Sequence, residues 1–447
     1  MKFSRTINMK TYLMKVKIVE MIKFDYQSLK LIFSIFFYLK YYFYKLTNNH
    51  YKAINTLSML YRTGWAGSKK PTISIIKSIF SKNSEFKETF IQRVIESVKP
   101  LKNTQKFFSD ATELFEGVMI VLKSPSTTEK GVIIIAYSYY FPLAFKLFDM
   151  EKIAERYHFV LEPSWSGLCD PDILVFTKLS DPVFVMAFEQ RDADFIKGSN
   201  TNLVPLAISA NWWVDYRYFL MSDENKRDID VIVVAAWAKF KRHANIFKAI
   251  KALKDQGEKL NITLVGYPGD MTMDDIKVLA NYYGINEQVT YYEWIPPQEV
   301  AKLMMRAKVN LLWSRMEGVN RAIIEGMFCN TPCILRDGFN YGQKYSYINL
   351  RTGEFSTEND LPSTILKIKN NYATYSPRAY VEEFHTCEVA VTLLNEVIAE
   401  HCYNTKDATW SNNIDLKVNE LHGMKYFSSD LLIKYADDYR WIKETLK

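Results

Sequence analysis

The sequence predicts an α/β protein of two strand–helix domains preceded by a helical N-terminal region. Three observations lead there. Apolar runs of strand length alternate with helix-like segments in two separate series, the pattern of parallel sheets. A wholly polar stretch, residues 222–228, divides the two series and is the best linker candidate. Residues 1–110 hold few Gly or Pro and keep apolar side chains three and four apart, as in Ile75, Ile76, Ile79 and Phe80, which reads as helix. With 447 residues, 48% hydrophobic and 15% aromatic, the chain is long enough for two domains and at least one sizeable core.

After the helical region, residues 111–222 form the first domain. Its strand candidates are residues 117–122, 132–136, 159–161, 173–176, 183–187 and 203–208, with a helix over 144–156. Residues 231–402 form the second. There a strand at 231–236 leads to a helix near 244–253, and a strand at 262–266 ends in Gly266. A strand near 289–293, a short helix and a strand at 309–313 follow. Residues 403–447 are expected to be C-terminal helices. Five cysteines, an odd number in a long chain, argue against a disulfide framework and for a reducing compartment.

Residues 309–335 carry the most chemistry. The apolar strand closes at Ser314-Arg315-Met316, Glu317-Gly318 follows, and Ala322, Ile323, Met327 and Phe328 then take helical spacing. Asn330 and Pro332 end that helix, and a strand at 333–335 comes next. Glu317 stands where a helix N-terminus presents free N–H groups beyond a parallel strand. On a continuous helix Glu325 lies about two turns further and about 80° round, so both carboxylates border one ligand.

This Glu317/Glu325 pair resembles the E-x7-E signature of retaining glycosyltransferases of family four (glycosyl transferases group 1). The flanks resemble the same family in the same order. They are the strand ending in Gly266, the strand–turn–helix from Val289 through Pro296 to Ala307, and Asn349-Leu350-Arg351-Thr352-Gly353-Glu354-Phe355. The resemblance covers residues 200–400 and fades before them: Ala136-Tyr137-Ser138-Tyr139-Tyr140-Phe141-Pro142 stands without glycine where the family has a Gly-rich loop.

The resemblance implies the GT-B architecture, two Rossmann-like domains facing a cleft, with residues 403–447 crossing back to the first. It implies transfer of a sugar from a nucleotide sugar to a glycan or lipid-linked acceptor, without metal or other cofactor. Loss of the nucleoside diphosphate needs positive charge at the phosphates. Lys241 and Arg242 compete for the family's lysine position, with Lys241 preferred, while Trp237 stands where an arginine is common. By the same resemblance Glu325 holds the ribose diol and Glu317 contacts the sugar and the charge developing at its anomeric carbon. The amides of Gly318, Val319 and Asn320 meet the β-phosphate. Ser314 and Arg315 share that loop, and Gly266 and Tyr267 approach the nucleotide.

Other candidates have lesser parts. Asp192-Ala193-Asp194 is a D-x-D beside Arg191, read as a chance acidic pair rather than a metal site. His158 precedes a strand and reads as structural, and Glu162 and Glu189 end strands on the acceptor side. Charge is uneven: residues 1–70 hold thirteen Lys/Arg against Glu20 and Asp25, +11 net, against +7 for the whole chain, so the remainder carries −4. Within that region, residues 31–44 are apolar and aromatic, and Lys30, Lys40 and Lys45 leave no run of the roughly 20 apolar residues a spanning helix needs. No small-residue cleavage site follows, so a signal peptide is not expected. An anionic membrane surface is one partner such a stretch suits; packing as a helical hairpin on the first domain is the other reading. The expected location is cytoplasmic, at the inner face of the membrane in the first case. Nucleic acid is not an expected partner. The rival to an enzyme is a catalytically silent scaffold of the same fold in a polysaccharide assembly complex.

Overall fold

The computed structural model describes residues 9–82, 84–101, 104–163, 170–220, 227–315, 317, 320–338, 345–404, 409–420 and 423–447. They form a mixed α/β protein with two mainly parallel sheets and a helical N-terminal region. The chain divides into two compact units, Gln27–Val214 with Cys387–Lys447, and Met1–Tyr26 with Asp215–Thr386. The boundaries therefore fall near residues 26, 214 and 386, where the sequence suggests 110, 222–231 and 402.

α1 (Met9–Glu20) runs into a π-helical turn, Met21–Asp25, and belongs to the second-sheet unit. α2 (Gln27–Leu46), α3 (His50–Thr63), α4 (Lys69–Phe80), α5 (Glu85–Ser97) and α6 (Gln105–Ser109) belong to the first. Asn49 caps α3 by accepting the Lys52 N–H at 3.3 Å, and Gly64 ends it in the left-handed region at φ +64°. Tyr41, Leu57, Ile76 and Phe90 from these helices share one buried core with Ile133, Phe141 and Leu161. The helices are thus a layer of the first unit, which a count of helical residues alone cannot reveal.

The first sheet has the order β1 (Met119–Lys123), β2 (Gly131–Ala136), β3 (Tyr157–Glu162), β4 (Val183–Met186), β5 (Leu203–Leu206). β2 to β5 are parallel, and β1 pairs antiparallel with β2. The expected helix over 144–156 is two, α7 (Tyr140–Leu147) and α8 (Met150–Arg156), because Asp149 caps the second by accepting the Lys152 N–H at 3.2 Å. The strand expected at 173–176 is instead a 3-10 helix, Pro171–Lys178. Asp170 accepts the Asp172 N–H at its start and Pro171 fixes a helical φ there; a short apolar run does not by itself separate buried strand from buried helix. α9 (Gln190–Ser199) joins β4 to β5.

The second sheet is wholly parallel, in the order β11 (Gly353–Ser356), β10 (Cys333–Arg336), β9 (Ala307–Leu312), β6 (Ile229–Val234), β7 (Ile262–Gly266), β8 (Val289–Glu293). Its helices are α10 (His243–Asp255), α11 (Met273–Tyr282), α12 (Pro297–Met305), α13 (Arg321–Phe328) and α14 (Leu361–Asn371). The chain grows outward from β6 to β8, returns to β9 beside β6, and grows the other way. This is the doubly wound order of dinucleotide-binding sheets, with a topological switch point between β6 and β9.

α15 (Pro377–Phe384) ends that unit and α16 (Cys387–Cys402) opens the return to the first. Residues 403–447 are not helices only. They contain an antiparallel hairpin, β12 (Lys417–Glu420) with β13 (Gly423–Tyr426), before α17 (Leu431–Lys434) and α18 (Ala436–Lys443). Lys417 and Val418 are buried, so the alternation that marks a half-exposed strand is missing from this short segment.

Candidate functional site

In a doubly wound sheet the crevice for a ligand opens beyond the carboxyl ends of the strands that flank the switch point. Here those strands are β6 and β9. After β6 the chain makes a 3-10 turn, Lys239–Lys241, and Arg242 takes φ +59° so that α10 starts at His243. After β9 come Trp313, Ser314, Arg315 and Glu317. The two loops are stitched together: the Arg315 N–H donates to the Phe240 carbonyl at 3.1 Å, and the Lys241 ammonium donates to the Glu317 carboxylate. Both members of that ion pair are buried, so each carboxylate or ammonium would be strongly disfavoured without the other.

Three guanidinium groups cluster beside this pair. Arg242 and Arg336 both reach Glu358, Arg336 at 3.4 Å. The Trp313 indole N–H donates to Glu358 at 3.2 Å, and the Asn245 amide at 3.1 Å. Burial pushes the Glu358 carboxyl up, and Arg242, Asn245 and Arg336 together outweigh that and hold it below the usual range. Burial, with Arg242 and Arg315 nearby, lowers the Arg336 guanidinium. Arg242 also meets Glu20 at 3.1 Å, and Arg315 meets Glu20 at 4.0 Å and pairs with Asp25. Both acids come from α1 and the turn after it.

Glu325 lies on α13, and its carboxylate meets Arg321 one turn back at 3.4 Å. Burial raises its carboxyl above the usual range, and Arg321 opposes that. Glu317 and Glu325 do not share one continuous helix. α13 begins only at Arg321, where the Asn320 side chain accepts the Ile323 N–H at 3.1 Å as N-cap, so Glu317 stands in the loop and not on the helix. Gly318 and Val319 lie outside the described residues. Ser314 is fully buried in the loop after β9.

Trp237, standing in place of an arginine, is fully buried and donates its indole N–H to Glu293 at 2.5 Å. Gly266 makes room for it. A Cβ there would stand 2.3 Å from the Ala235 carbonyl oxygen and 2.9 Å from the Trp237 ring, so the β7 end must be glycine for the indole to fit. Tyr267 is 44% exposed and packs its ring 5.1 Å from Trp294.

On the first sheet, both Glu162 oxygens are occupied: Lys417 donates at 2.5 Å and Asn419 at 2.7 Å. The pair is buried, which makes Glu162 a structural acid rather than one offered to an acceptor. Glu189 is buried with Arg191 3.6 Å away, and Arg191 also reaches Asp192 of the D-x-D at 2.9 Å. His158 is buried inside β3 and meets the Tyr403 hydroxyl at 3.0 Å. Burial, with Lys130 nearby, pushes its pKa down to about 4. Tyr137, in the glycine-free segment after β2, adopts φ +66°, the conformation glycine would take freely.

Seen together, Lys241, Arg242, Arg315 and Arg336 form a cationic patch at the switch point, with Glu317 inside it. Such a patch suits a diphosphate, whose paired charges need fixed donors. Sequence reading missed Arg336, Glu358, Glu20 and Asp25. The first two end β10 and follow β11, a placement that needs the strand order. The last two lie more than two hundred residues from their partners in sequence.

Residues 220–375 match the family model described as glycosyl transferases group 1. Among solved structures, TarM from S. aureus is 15% identical over 61% of this chain and 55% of TarM, with a TM-score of 0.48. Sucrose-phosphate synthase from Thermosynechococcus elongatus is 15% identical over 61% of this chain and 74% of its own, with a TM-score of 0.46. HepE from Anabaena, in complex with UDP and glucose, is 14% identical over 61% and 78%, with a TM-score of 0.45. The chain spans about half the length of TarM, at 55%. Comparison with curated proteins gives no match.

Proposed function

We propose that this chain, which carries a glycosyl transferases group 1 domain, is a retaining, metal-independent glycosyltransferase of GT-B architecture and family four. It moves a sugar from a nucleotide-sugar donor to a glycan or lipid-linked acceptor. The observation that carries the reading is the Lys241–Glu317 pair joining the two switch-point loops of a doubly wound sheet. In this reading Lys241 and the neighbouring arginines neutralise the departing diphosphate, where charge grows in the transition state. Glu317 faces the sugar, and Glu325 accepts hydrogen bonds from the ribose diol.

The test is a thermal-stability screen of UDP-, GDP- and ADP-sugars, followed by donor hydrolysis with the protein that binds. A ligand at 100 times its dissociation constant stabilises by about 2.7 kcal/mol, a readable shift. A second reading, a silent scaffold, is favoured by Trp237 in the arginine position. Donor binding with no turnover on any acceptor selects it.

A cytoplasmic enzyme at the inner face of the membrane is part of the proposal, and α2 supports it. Leu31, Ile32, Ile35, Phe36, Leu39 and Phe43 are each at least half exposed. At about 100° per residue they fill an arc of roughly 140°, with Lys40 and Lys45 about 40° beyond its two edges. No acidic residue interrupts α2. No helix among the described residues is long and apolar enough to cross a membrane. An apolar arc rimmed by lysines suits the interface of an anionic bilayer. Co-sedimentation with phosphatidylglycerol vesicles should weaken with salt and disappear in F36E/L39E; equal sedimentation of both proteins removes the membrane from the reading.

A further inference from the structure

We infer that the N-terminal segment ending in Glu20 and Asp25 is an acidic latch that occupies the diphosphate position of the donor site and yields it to the nucleotide. The inference rests on the donor-site reading above and adds a regulator to it.

Its first support is the place of contact. Glu20 reaches both Arg242 and Arg315, at 3.1 and 4.0 Å, and Asp25 pairs with Arg315. These two arginines come from the separate loops after β6 and β9. One acidic side chain therefore spans the switch point, as a bridging diphosphate does in a site of this kind.

The second support is charge. Lys241, Arg242, Arg315 and Arg336 bring four positive charges, and Glu317 and Glu358 return two negative ones. The excess of two equals the charge of a nucleotide sugar's diphosphate. Glu20 and Asp25 supply two negative charges, so the cluster is balanced with the latch in place. They are also the only acids among the first seventy residues, in a region otherwise of thirteen bases.

The third support is how lightly the segment is held. No residue of α1 is buried. Met9 and Leu13 are partly buried against the second-sheet core, while Met14, Ile18, Val19 and Ile22 remain exposed. A helix with few buried contacts opens at small cost, so a diphosphate that binds all three arginines can displace it. The carboxylates make point contacts; a diphosphate offers more oxygens to the same forks.

The experiment is calorimetric titration of the full chain with inorganic pyrophosphate, UDP, GDP and ADP, comparing the natural protein with E20Q/D25N. These amides keep the side-chain shape and remove the competing charge. The variant should bind at least about tenfold tighter. In the natural protein, hydrogen exchange over residues 9–25 should rise as pyrophosphate saturates the site, a readout that needs no variant to fold. Equal dissociation constants with unchanged exchange overturn the latch and leave the donor site standing. No binding of any of the four by either protein overturns the donor site, and the latch with it.

Discussion

Replacing Lys241 by Met tests the centre of the site. The ammonium and the Glu317 carboxylate keep only 10% and 8% of their side-chain surface exposed, so water cannot take over when one partner leaves. Breaking a buried pair costs about 3–5 kcal/mol, against under about 1 kcal/mol for an exposed one. The residual exposure places K241M near the lower figure, about 3 kcal/mol. For a unit of this size that lowers Tm by about 6–12 °C. The double variant K241M/E317L removes both charges and should regain most of the loss, since apolar replacement of a whole buried pair is close to neutral. Urea unfolding read by hydrogen exchange in peptides of β6 and β9 measures the unit concerned. Additive losses in the double variant, or a K241M effect below about 0.5 kcal/mol, would show that the two loops are not joined through this pair.

Three further outcomes are expected. E325A should weaken nucleoside diphosphate binding by about 1.5–3 kcal/mol, the worth of a hydrogen bond to a charged group, and an unchanged dissociation constant removes Glu325 from the ribose. His158, with a folded pKa of about 4 against 6.5, is neutral in the fold; its stabilising effect is complete above pH 6.5 and is lost as pH falls toward 4. It is worth about 3 kcal/mol, so H158Q should flatten the acid limb of stability read in β3 peptides, and an unaltered limb refutes this. G353A should cost on the order of 3 kcal/mol in urea unfolding, because φ is +154° and a Cβ would stand 2.0 Å from the Cys333 carbonyl oxygen; a loss under about 0.5 kcal/mol contradicts that geometry.

Much of this protein is local information. The strands at 262–266 and 309–313 and the helical spacing from Ala322 to Phe328 follow from apolar period, and the helix stop at Asn330 and Pro332 from chain breakers, which act within a few residues. For the same reason the order of elements around Glu317 and Glu325 is legible in the sequence. The family resemblance also pointed to Lys241 and Arg242 at its lysine position, and to Arg315 because it shares the loop of Glu317.

The tertiary structure decided what depends on distant partners. The segment at 173–176 is a local exception, a 3-10 helix that Asp170 and Pro171 start in an apolar run whose burial suits either form. Glu162 was withdrawn from the acceptor side by Lys417, 255 residues away. Arg336 and Glu358 entered the cationic patch only once β10 and β11 were laid beside β9, and Glu20 and Asp25 only once α1 docked on the second sheet. Local propensity cannot specify such contacts, because their energy comes from desolvated charges that find each other only in the folded chain.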